Sequence, residues 1–370
     1  MRILHVVPTY FPATRYGGPI VAVHGLCKAL AARGHEVHVF TTNVDGPGVS
    51  DVPLDRPVVL DGVNVHYFAS FFPRLYVSPE MKKALADIGS FEVAHLHSVF
   101  LWPTMAAAGA AKKAGVPYLI APRGMLVREL IRRKSRFVKT AWLQLIERRN
   151  FKHAAAVHFT SHRELTDAQQ IRMPLPHPAI VPNGIDLVEK PKVARDANTV
   201  VFLGRINWKK GLDRLIEALP DGARLEIAGN DEENLTPRLR ALAAGKDVVF
   251  HGPVYGAAKW ELLTRASVFA LPSLSENFGN AVVEAMMMET PVVLSPEVGL
   301  AEHVAFANAG LMADDFRSAL TTLLADAGLR AELGRNGGAL VERELTWPRV
   351  AEQMEEVYAR CSKGTMPVSS

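Results

Sequence analysis

The sequence predicts an α/β protein built from two Rossmann-like domains, and two observations support this prediction. Along nearly all of the 370 residues, short apolar segments alternate with amphipathic stretches of helical periodicity. This alternation is typical of a mostly parallel sheet covered by helices. The pattern is interrupted between residues 174 and 198, where prolines are frequent and periodicity is lost, so we place the interdomain linker there. The chain is long enough for two domains that each bury a core.

The first series of elements occupies residues 1–185. Gly34 follows its first helix, at the position where a helix C-cap favours glycine. The predicted strands are Ile3–Pro8, Glu36–Thr42, Val63–Phe68, Glu92–Leu96, Pro117–Ala121 and Ala155–Thr160. The predicted helices are Val21–Arg33, Pro79–Asp87, Pro103–Ala114 and Lys139–Lys152.

A second series begins after the linker. Its predicted strands are Thr199–Gly204, Arg224–Gly229, Val248–Gly252, Val268–Pro272 and Pro291–Ser295, and helices follow most of them. The last helix, Trp347–Cys361, follows two earlier helices with no new strand between them. We expect the tail from Lys363 to Ser370 to be frayed, as chain ends often are.

Composition excludes several classes of protein. The two cysteines, Cys27 and Cys361, are too few for a disulfide framework or for a cysteine-rich structural zinc site. They indicate a reducing environment, so we expect a cytoplasmic protein. The N-terminal apolar run is about six residues long, too short for a signal peptide, and no segment reaches the roughly 18 apolar residues of a membrane span.

The net charge of +4 hides a difference between the two halves. Residues 1–185 contain 22 Lys and Arg against 12 Asp and Glu, whereas the remainder contains 20 against 26. A basic half joined to an acidic half suggests that the first half faces an anionic partner. Nucleic acid, anionic lipid and a phosphorylated substrate all fit this balance.

The first candidate site is the loop Tyr10–Pro19, between the first strand and the first helix. Its paired glycines, Gly17 and Gly18, would let a phosphate approach the backbone at a helix N-terminus. The loop does not match G-x-G-x-x-G, so a dinucleotide fold of the dehydrogenase type is not supported. A plain turn fits the two glycines equally well.

The second candidate site follows the first strand of the second series. Gly204-Arg205 ends that strand, and Lys209 and Lys210 precede the next helix. Cations near a helix N-terminus oppose the helix dipole, so a bound anion would explain their placement. Arg205 and Lys210 could grip a diphosphate, the first through its planar fork and the second as a point charge. The alternative is a solvated basic turn.

The third candidate site is the loop and helix from Pro272 to Met286. Glu276 precedes the helix N-terminus and Glu284 lies on the second turn. The free amides around residues 278–280 can bind phosphate, while each carboxylate accepts hydrogen bonds from hydroxyl groups. A ribose and a sugar joined by diphosphate present that chemistry in that order. The alternative is a capping carboxylate followed by one exposed glutamate.

Together these motifs resemble the retaining GT-B glycosyltransferases of the large family four, also called group 1. That family includes bacterial polysaccharide and phosphatidylinositol mannosyltransferases. The resemblance covers nearly the whole chain, and five motifs occur in the family's order. They are Gly17-Gly18, His95-Leu-His97, Pro182-Asn-Gly-Ile-Asp186, Gly204-Arg205 with Lys210, and the E-x7-E pair Glu276 and Glu284.

The resemblance implies a GT-B fold, in which two Rossmann-like domains face each other across a cleft. Residues 1–185 would form the acceptor-binding domain, to which 347–361 cross back, and 190–346 would bind a nucleotide sugar. The implied catalytic residues are His97, Glu276, Arg205 and Lys210. The implied donor-binding residues are Gly17, Gly18, Arg205, Lys210, Glu276, Asn277, Phe278, Gly279, Asn280 and Glu284.

Within this assignment, Glu284 would bind the ribose, Glu276 the transferred sugar, and Arg205 with Lys210 the diphosphate. His97 would lie near the sugar, although a hydrogen-bonded structural histidine is an equal interpretation of that residue alone. Arg123 follows a predicted strand and could bind an anionic acceptor, or form a loop salt bridge. We expect no metal, because the acidic runs Asp231–Glu233 and Asp314-Asp315 lack ligand spacing and are predicted on solvated loops.

The implied activity is retaining transfer of a hexose from a UDP- or GDP-linked sugar to a hydroxyl acceptor, without a cofactor. Bacterial polysaccharide or glycolipid assembly, with a polyprenyl-diphosphate-linked or other glycan acceptor, is the expected setting. Two alternatives remain: a GT-B sugar-nucleotide epimerase, and a non-catalytic protein that binds nucleotide sugars or polyanions.

Residues 123–152 form a basic segment, with ten Lys and Arg against Glu129 and Glu147. Such a stretch can lie on anionic lipid if its apolar residues share a face. The expected apolar face comprises Val138, Trp142, Leu145 and Ile146. An ordinary helix packed on the core is the alternative. Nucleic acid is not expected, because no recognised module is present. The predicted location is therefore the cytoplasm, with a peripheral position on the inner face of the membrane as an extension.

Overall fold

The computed structural model describes residues 1–13, 17–133 and 136–362. The chain forms two compact units, one comprising residues 1–184 and the final segment from 347, the other residues 185–346. Thr14–Tyr16 in the first candidate loop, Lys134 in the basic segment and the tail from Lys363 lie outside the described residues.

The first unit contains ten strands among its described residues. They are β1 (Arg2–Val6), β2 (Glu36–Thr42), β3 (Val44–Asp45), β4 (Gly48–Val49), β5 (Val58–Leu60), β6 (Val63–Phe68), β7 (Val93–His97), β8 (Tyr118–Ala121), β9 (Ala156–Phe159) and β10 (Pro178–Ile180). The α-helices before residue 185 are α1 (Gly18–Ala32), α2 (Pro79–Ala84), α3 (Trp102–Ala114), α4 (Arg128–Arg133), α5 (Arg136–Trp142), α6 (Arg148–Lys152) and α7 (His162–Gln170). A 3-10 turn, Leu85–Ser90, extends α2, and a π-helical turn, Leu143–Glu147, joins α5 to α6.

The second unit and the final helix complete the fold. The strands are β11 (Thr199–Leu203), β12 (Arg224–Ala228), β13 (Asp247–Gly252), β14 (Val268–Leu271), β15 (Val292–Leu294) and β16 (Gly310–Met312). The helices are α8 (Leu212–Ala218), α9 (Thr236–Leu242), α10 (Gly256–Arg265), α11 (Asn280–Met287), α12 (Ala301–Phe306), α13 (Phe316–Ala325), α14 (Ala327–Glu344) and, back in the first unit, α15 (Trp347–Ser362). A 3-10 turn, Trp208–Lys210, precedes α8.

Both large sheets have a doubly wound order, which confirms the predicted α/β class. The first is β10-β9-β8-β7-β1-β2-β6-β5, parallel except for β5. The second is β13-β12-β11-β14-β15-β16, parallel throughout. The order reverses between β1 and β7 in one sheet and between β11 and β14 in the other. Open α/β sheets bind ligands outside the carboxyl ends of strands at such switch points.

The final helix, α15, completes the core of the first unit. Its buried residues, including Val350, Met354 and Val357, belong to the same apolar cluster as α1. The Trp347 ring fills space that two glycines leave open. A Cβ atom at Gly25 would lie 2.1 Å from the ring, and one at Gly184 2.6 Å from it. Larger residues at either position would therefore displace the start of α15.

The predicted strands and helices are found within a few residues of their expected ends, with four differences. Pro178–Ile180, expected in the linker, forms the edge strand β10. The short strands β3, β4, β5 and β16 were not expected, since two or three residues carry too little periodicity to reveal a strand. The helices α4 and α7 were not expected either. The predicted helix Lys139–Lys152 contains the π turn, which changes the face that it buries.

Candidate functional site

Two loops meet at the switch point of the second sheet. One follows β11 and carries Arg205 and Lys210; the other follows β14 and carries Glu276. Gly211 has a φ of 61°, and a Cβ atom there would lie 2.4 Å from the carbonyl oxygen of Pro272. The Leu274 amide also donates to the carbonyl of Lys209 at 2.6 Å. Glycine at position 211 thus allows the two loops to pack directly against each other.

Lys210 and Glu276 form an ion pair across these loops. Their side chains are 15% and 21% exposed, so the pair is accessible without being fully solvated. The Glu276 backbone is held from both sides, because its amide donates to Glu297 at 3.1 Å and its carbonyl accepts from Gly299 at 2.9 Å. The structure therefore brings together the two residues predicted for the diphosphate and the sugar.

The helix α11 begins where the sequence predicted it. Gly279, with a φ of 101°, precedes its first residue, and Phe278 is buried beneath the turn. Glu284 lies on the second turn and accepts from Lys259 Nζ at 2.9 Å. Lys259 comes from α10 and also lies over the Trp260 ring, 3.9 Å from its centre. Sequence reasoning missed Lys259, because one lysine in an amphipathic helix has no distinguishing pattern.

Arg205 pairs with Glu232 rather than with Glu276, and the distance from Nη1 to Oε1 is 2.9 Å. The neighbouring Glu233 accepts from the Trp208 amide at 3.0 Å. The run Asp231–Glu233 lies on a loop with Glu232 and Glu233 exposed, as expected, and its carboxylates also pair with the loop after β11. Burial, with the nearby Arg205 charge, lowers the pKa of Lys209. The loop after β11 is thus an electropositive turn balanced by carboxylates of the loop after β12.

In the first unit, the paired glycines stand where β1 connects to α1. Gly17, with a φ of 67°, precedes the helix, and Gly18 is its first residue. The start of the connecting loop is anchored by Tyr10, whose hydroxyl contacts His24 Nδ1 at 2.8 Å. His24 Nε2 in turn contacts Asp61 at 2.9 Å. The backbone at Gly17 therefore has the conformation that the predicted turn required.

His97 and Arg123 are in contact at the carboxyl ends of β7 and β8. Arg123 Nη2 lies 3.2 Å from His97 Nδ1, and Arg123 Nη1 donates to Asn183 Oδ1 at 3.0 Å. His97 is buried, and its Nε2 contacts His5 Nδ1 at 3.0 Å. Both ring nitrogens of His97 therefore have protein partners, and its expected place near the transferred sugar stays a prediction.

A buried carboxylate that the sequence did not reveal, Glu164, accepts a hydrogen bond from the loop that carries Arg123. Glu164 on α7 is buried and accepts from the amides of Gly124 at 2.7 Å and Thr160 at 2.8 Å. Burial lowers the pKa of Arg123, and the negative charge of Glu164 opposes that shift. Arg123 itself has a φ of 54° and needs this support to keep its turn.

His97 belongs to a cluster of four buried histidines, with His5, His95 and His158. His95 Nδ1 contacts the Tyr358 hydroxyl at 2.7 Å, and His158 Nδ1 contacts His95 Nε2 at 3.2 Å. Burial lowers the pKa of His5 and of His158 to about 3, and that of His95 and His97 well below the usual value. Within the described ranges, nitrogens of His5, His95 and His97 lie within 4.8 Å of one another, close enough to consider a metal ion.

Only part of the expected face of the basic segment is buried: Trp142 packs against the core and Ile146 is half-buried. Val138 and Leu145 are exposed, whereas Leu143 and Glu147 are buried. The π turn at Leu143–Glu147 supplies the reason, because its wider turn shifts the buried positions by one residue. Glu147 accepts from the amide of Phe100 at 2.7 Å, and burial raises its pKa.

As a result, an apolar surface remains on this segment: Phe137 is 86% exposed and Leu145 is 76% exposed. Among the helices of the described ranges, none is both long and apolar enough to cross a membrane.

Known proteins share this architecture. The model of the glycosyl transferase 4-like domain matches residues 17–184, and that of glycosyl transferases group 1 matches 186–339. A phosphatidyl-myo-inositol mannosyltransferase of Mycobacterium leprae is 30% identical, over 97% of this chain and 96% of its own. Sucrose-phosphate synthase from Thermosynechococcus elongatus has a similar fold, with a TM-score of 0.74, 19% identity and coverage of 98% and 100%. HepE of Anabaena, solved with UDP-glucose, also has a similar fold, with a TM-score of 0.73 and 19% identity. The match covers 97% of this chain and 99% of HepE.

The matches to the two family models adjoin and together cover most of the chain. The sequence match to the mannosyltransferase also runs through both units. The five motifs and the doubly wound sheets agree with this result. The chain therefore belongs to the glycosyl transferases group 1 and has the GT-B fold.

Proposed function

We propose that this glycosyltransferase moves a hexose from a nucleoside diphosphate sugar to a hydroxyl acceptor, with retention of configuration. The contact between Lys210 and Glu276 carries the proposal. It places a cation suited to a diphosphate beside a carboxylate suited to sugar hydroxyls, at a sheet switch point. The mannosyltransferase name of the Mycobacterium relative supports a hexose, and the UDP-glucose bound to HepE supports a nucleotide-sugar donor of the UDP or GDP type.

Each charged side chain proposed to bind the donor exchanges a partner that it has in the structure. The diphosphate takes Lys210 from Glu276 and Arg205 from Glu232, and the backbone amides of 277–280 add neutral donors. Glu276 then accepts from the hexose and Glu284 from the ribose. Because Arg205 and Lys210 neutralise the charge that develops on the leaving diphosphate, the proposed reaction needs no metal ion.

The proposed chemistry takes place on one face of the hexose. The acceptor oxygen forms a bond to the anomeric carbon on the side from which the diphosphate leaves, as the anomeric carbon–oxygen bond breaks. The acceptor proton passes to an oxygen of the leaving diphosphate. Arg123 binds an anionic group of the acceptor, and His97 holds the Arg123 guanidinium through its Nδ1 atom.

A binding and turnover experiment tests this proposal. Thermal shift with a panel of UDP- and GDP-linked hexoses identifies the donor, because a ligand that binds the native state raises its stability. We then expect nucleoside diphosphate release only when an acceptor is added from phosphatidylinositol, inositol phosphate and polyprenyl-diphosphate glycans. The anomeric proton coupling of the product reports configuration. Release without a glycosylated product, or an inverted product, would contradict the proposal.

We further propose that the protein works at the inner face of a membrane rich in anionic lipid. The basic segment supplies the charge, and exposed Phe137 and Leu145 supply apolar contacts. Together these features are typical of helices that lie in the membrane interface. A lipid-linked acceptor, such as a polyprenyl-diphosphate glycan, would be reached there.

Liposome sedimentation tests this second proposal. We expect binding to vesicles of anionic lipid but not of neutral lipid, and release by about 0.5 M salt, which shortens the screening length. Reversal of Arg132, Arg133 and Arg136 to Glu, or Phe137→Ser, should reduce sedimentation without changing transfer to a soluble acceptor analogue. Phe306→Ser is the matched control, since Phe306 is 92% exposed in the second unit. Wild-type protein in the supernatant at low salt would contradict membrane binding.

A further inference from the structure

One continuous hydrogen-bonded path runs through the buried histidines of the first unit. It connects Arg123, His97, His5, Tyr358, His95, His158 and the carbonyl of Val181, and we call it the histidine network. The remaining links are His5 Nε2 to the Tyr358 hydroxyl at 3.5 Å and His158 Nε2 to the Val181 carbonyl at 2.9 Å. Every ring nitrogen in the network has one partner.

The end that contains Arg123 fixes half of the protons. A guanidinium can only donate, so Nδ1 of His97 must accept. The proton of neutral His97 then lies on Nε2, which donates to Nδ1 of His5. His5 in turn carries its proton on Nε2 and donates to the Tyr358 oxygen.

The opposite end fixes the other half. The Val181 carbonyl can only accept, so His158 donates from Nε2 and accepts at Nδ1. His95 therefore donates from Nε2 to His158 and accepts at Nδ1. The donor to His95 is the Tyr358 hydroxyl, at 2.7 Å. Both halves meet at Tyr358, whose hydroxyl oxygen accepts from one half and donates to the other through the same atom.

We infer that Tyr358, on the final helix, is a positioning residue that joins the two halves of the histidine network and thereby holds Arg123 for its acceptor. Its hydroxyl oxygen accepts from His5 and its hydroxyl proton is donated to His95. This inference rests on the proposed function for the role of Arg123. Without the hydroxyl, His5 Nε2 has no acceptor and His95 Nδ1 no donor. His97 is then free to take the other tautomer, in which Nδ1 carries a proton and no longer accepts from Arg123.

The same contacts argue against a metal ion in this cluster. A metal held by His5, His95 and His97 would need a free lone pair on each ring. His5 and His97 instead share one hydrogen bond of 3.0 Å, and both rings are fully enclosed. A dication would also lie beside the Arg123 guanidinium, which contacts His97. A hydrogen-bonded network satisfies these groups without that repulsion.

Nitrogen NMR of the wild-type protein, with labelled histidine and arginine, tests the network directly. We expect His5, His95, His97 and His158 to be neutral Nε2–H tautomers at pH 7, and the Arg123 guanidinium to rotate slowly. A cationic or Nδ1–H form of any of the four would overturn the inference. So would one equivalent of transition metal in the purified protein, because the metal would occupy the lone pairs.

The variant Tyr358→Phe tests the positioning role, with Tyr118→Phe as the matched control. Tyr118 is also buried in the first unit, and its hydroxyl donates to a backbone carbonyl, that of Asn150, at 2.6 Å. In Tyr358→Phe we expect mixed histidine tautomers, fast rotation of Arg123 and about a tenfold lower kcat/KM for the acceptor. The donor KM should change less than about twofold, and Tyr118→Phe should leave all four readouts unchanged.

The readouts separate the two proposals. If wild-type protein transfers no sugar, the proposed function fails, while the tautomer and Arg123 signals still decide the inference. If transfer occurs but Tyr358→Phe leaves the Arg123 signal and the acceptor kcat/KM unchanged, the inference fails alone. Should Tyr358→Phe not fold, the wild-type tautomers decide, since the Nε2–H pattern in all four rings is its central requirement.

Discussion

The cationic side chains at the carboxyl edges of the two sheets have opposite kinds of partner. At the second sheet, Lys210 and Arg205 each pair with a glutamate, and both pairs are partly exposed. At the first sheet, Arg123 contacts neutral imidazole and amide groups, and the histidines behind it are buried. A partly exposed ion pair contributes little to stability, so its members can exchange partners at low cost.

The difference indicates two ways of preparing a site for an anion. The second unit holds Lys210 and Arg205 in ion pairs with carboxylates, which the diphosphate of the proposed donor would replace. The first unit holds one cation rigidly, because each buried polar group would be costly to leave without a partner. Rigid groups suit the alignment of an attacking acceptor, whereas exchangeable ones suit a donor that must bind and leave as a diphosphate.

The largest difference between the two units is expected in acid, which should lower the free energy of unfolding of the first unit more than that of the second. Burial holds the folded pKa of His5 and His158 at about 3, and that of His95 and His97 well below the unfolded value of about 6.5. Their contribution to stability is therefore complete above about pH 6.5 and is lost as pH falls below it. His5 and His158 should together cost about 2.7 kcal/mol at pH 5.5, and the protonation of His95 and His97 adds to this loss. Urea unfolding at pH 7.5 and 5.5, followed by limited proteolysis, measures it. Equal loss in both units would contradict the assignment.

Removing Lys210 or Arg205, the cations paired with carboxylates in the second unit, should have the next largest effect, a loss of turnover. We expect Lys210→Ala to lower donor turnover about a hundredfold and the more exposed Arg205→Ala about tenfold, because charge-assisted bonds contribute about 1.5–3 kcal/mol. Lys190→Ala is the control, since Lys190 pairs with Glu289 on the surface of the same unit. Steady-state kinetics with saturating acceptor provides the measurement. Unchanged kinetics in both site variants would contradict the diphosphate assignment.

The two carboxylates of the E-x7-E motif should separate by a smaller margin. Glu276→Gln should lower kcat about tenfold more than Glu284→Gln does, since in the proposed function Glu276 binds the group that changes in the transition state. Glu284→Gln should instead raise the donor KM, because the ribose does not react. Donor titrations of both variants distinguish these effects. The reverse pattern would mean that the two roles are exchanged.

Most of the site could be predicted from sequence where chemistry directly follows a strand. Arg205, Glu276, His97 and Arg123 all stand just beyond a strand end or at its last residue, so strand prediction alone placed them at the sheet edge. The partners of these residues come from elsewhere. Glu232 follows a different strand, and Lys259 lies on a different helix. Their contacts with Arg205 and Glu284 depend on the order of strands in the sheet, which local periodicity does not reveal.

The histidine network had a signal that could have been used. His5, His95 and His158 each interrupt an apolar strand of the same predicted sheet, where a polar residue needs a buried partner. His5 and His95 are direct neighbours on β1 and β7. Tyr358 had no such signal, because its helix gave no indication of which sheet face it covers. The π turn was equally hidden, since an extra residue in one turn leaves the helical composition unchanged.

The placement of α15 in the first unit has a consequence for biosynthesis. Residues 185–346 form a contiguous unit that can complete its core as soon as the ribosome has released it. The first unit, although made earlier, must wait for Trp347 to cover Gly25 and for Tyr358 to reach its histidines. At roughly 5–20 residues per second, that wait lasts on the order of 10–35 s, during which the apolar face of α1 is uncovered. Newly made first units are therefore the state of this protein most in need of a chaperone.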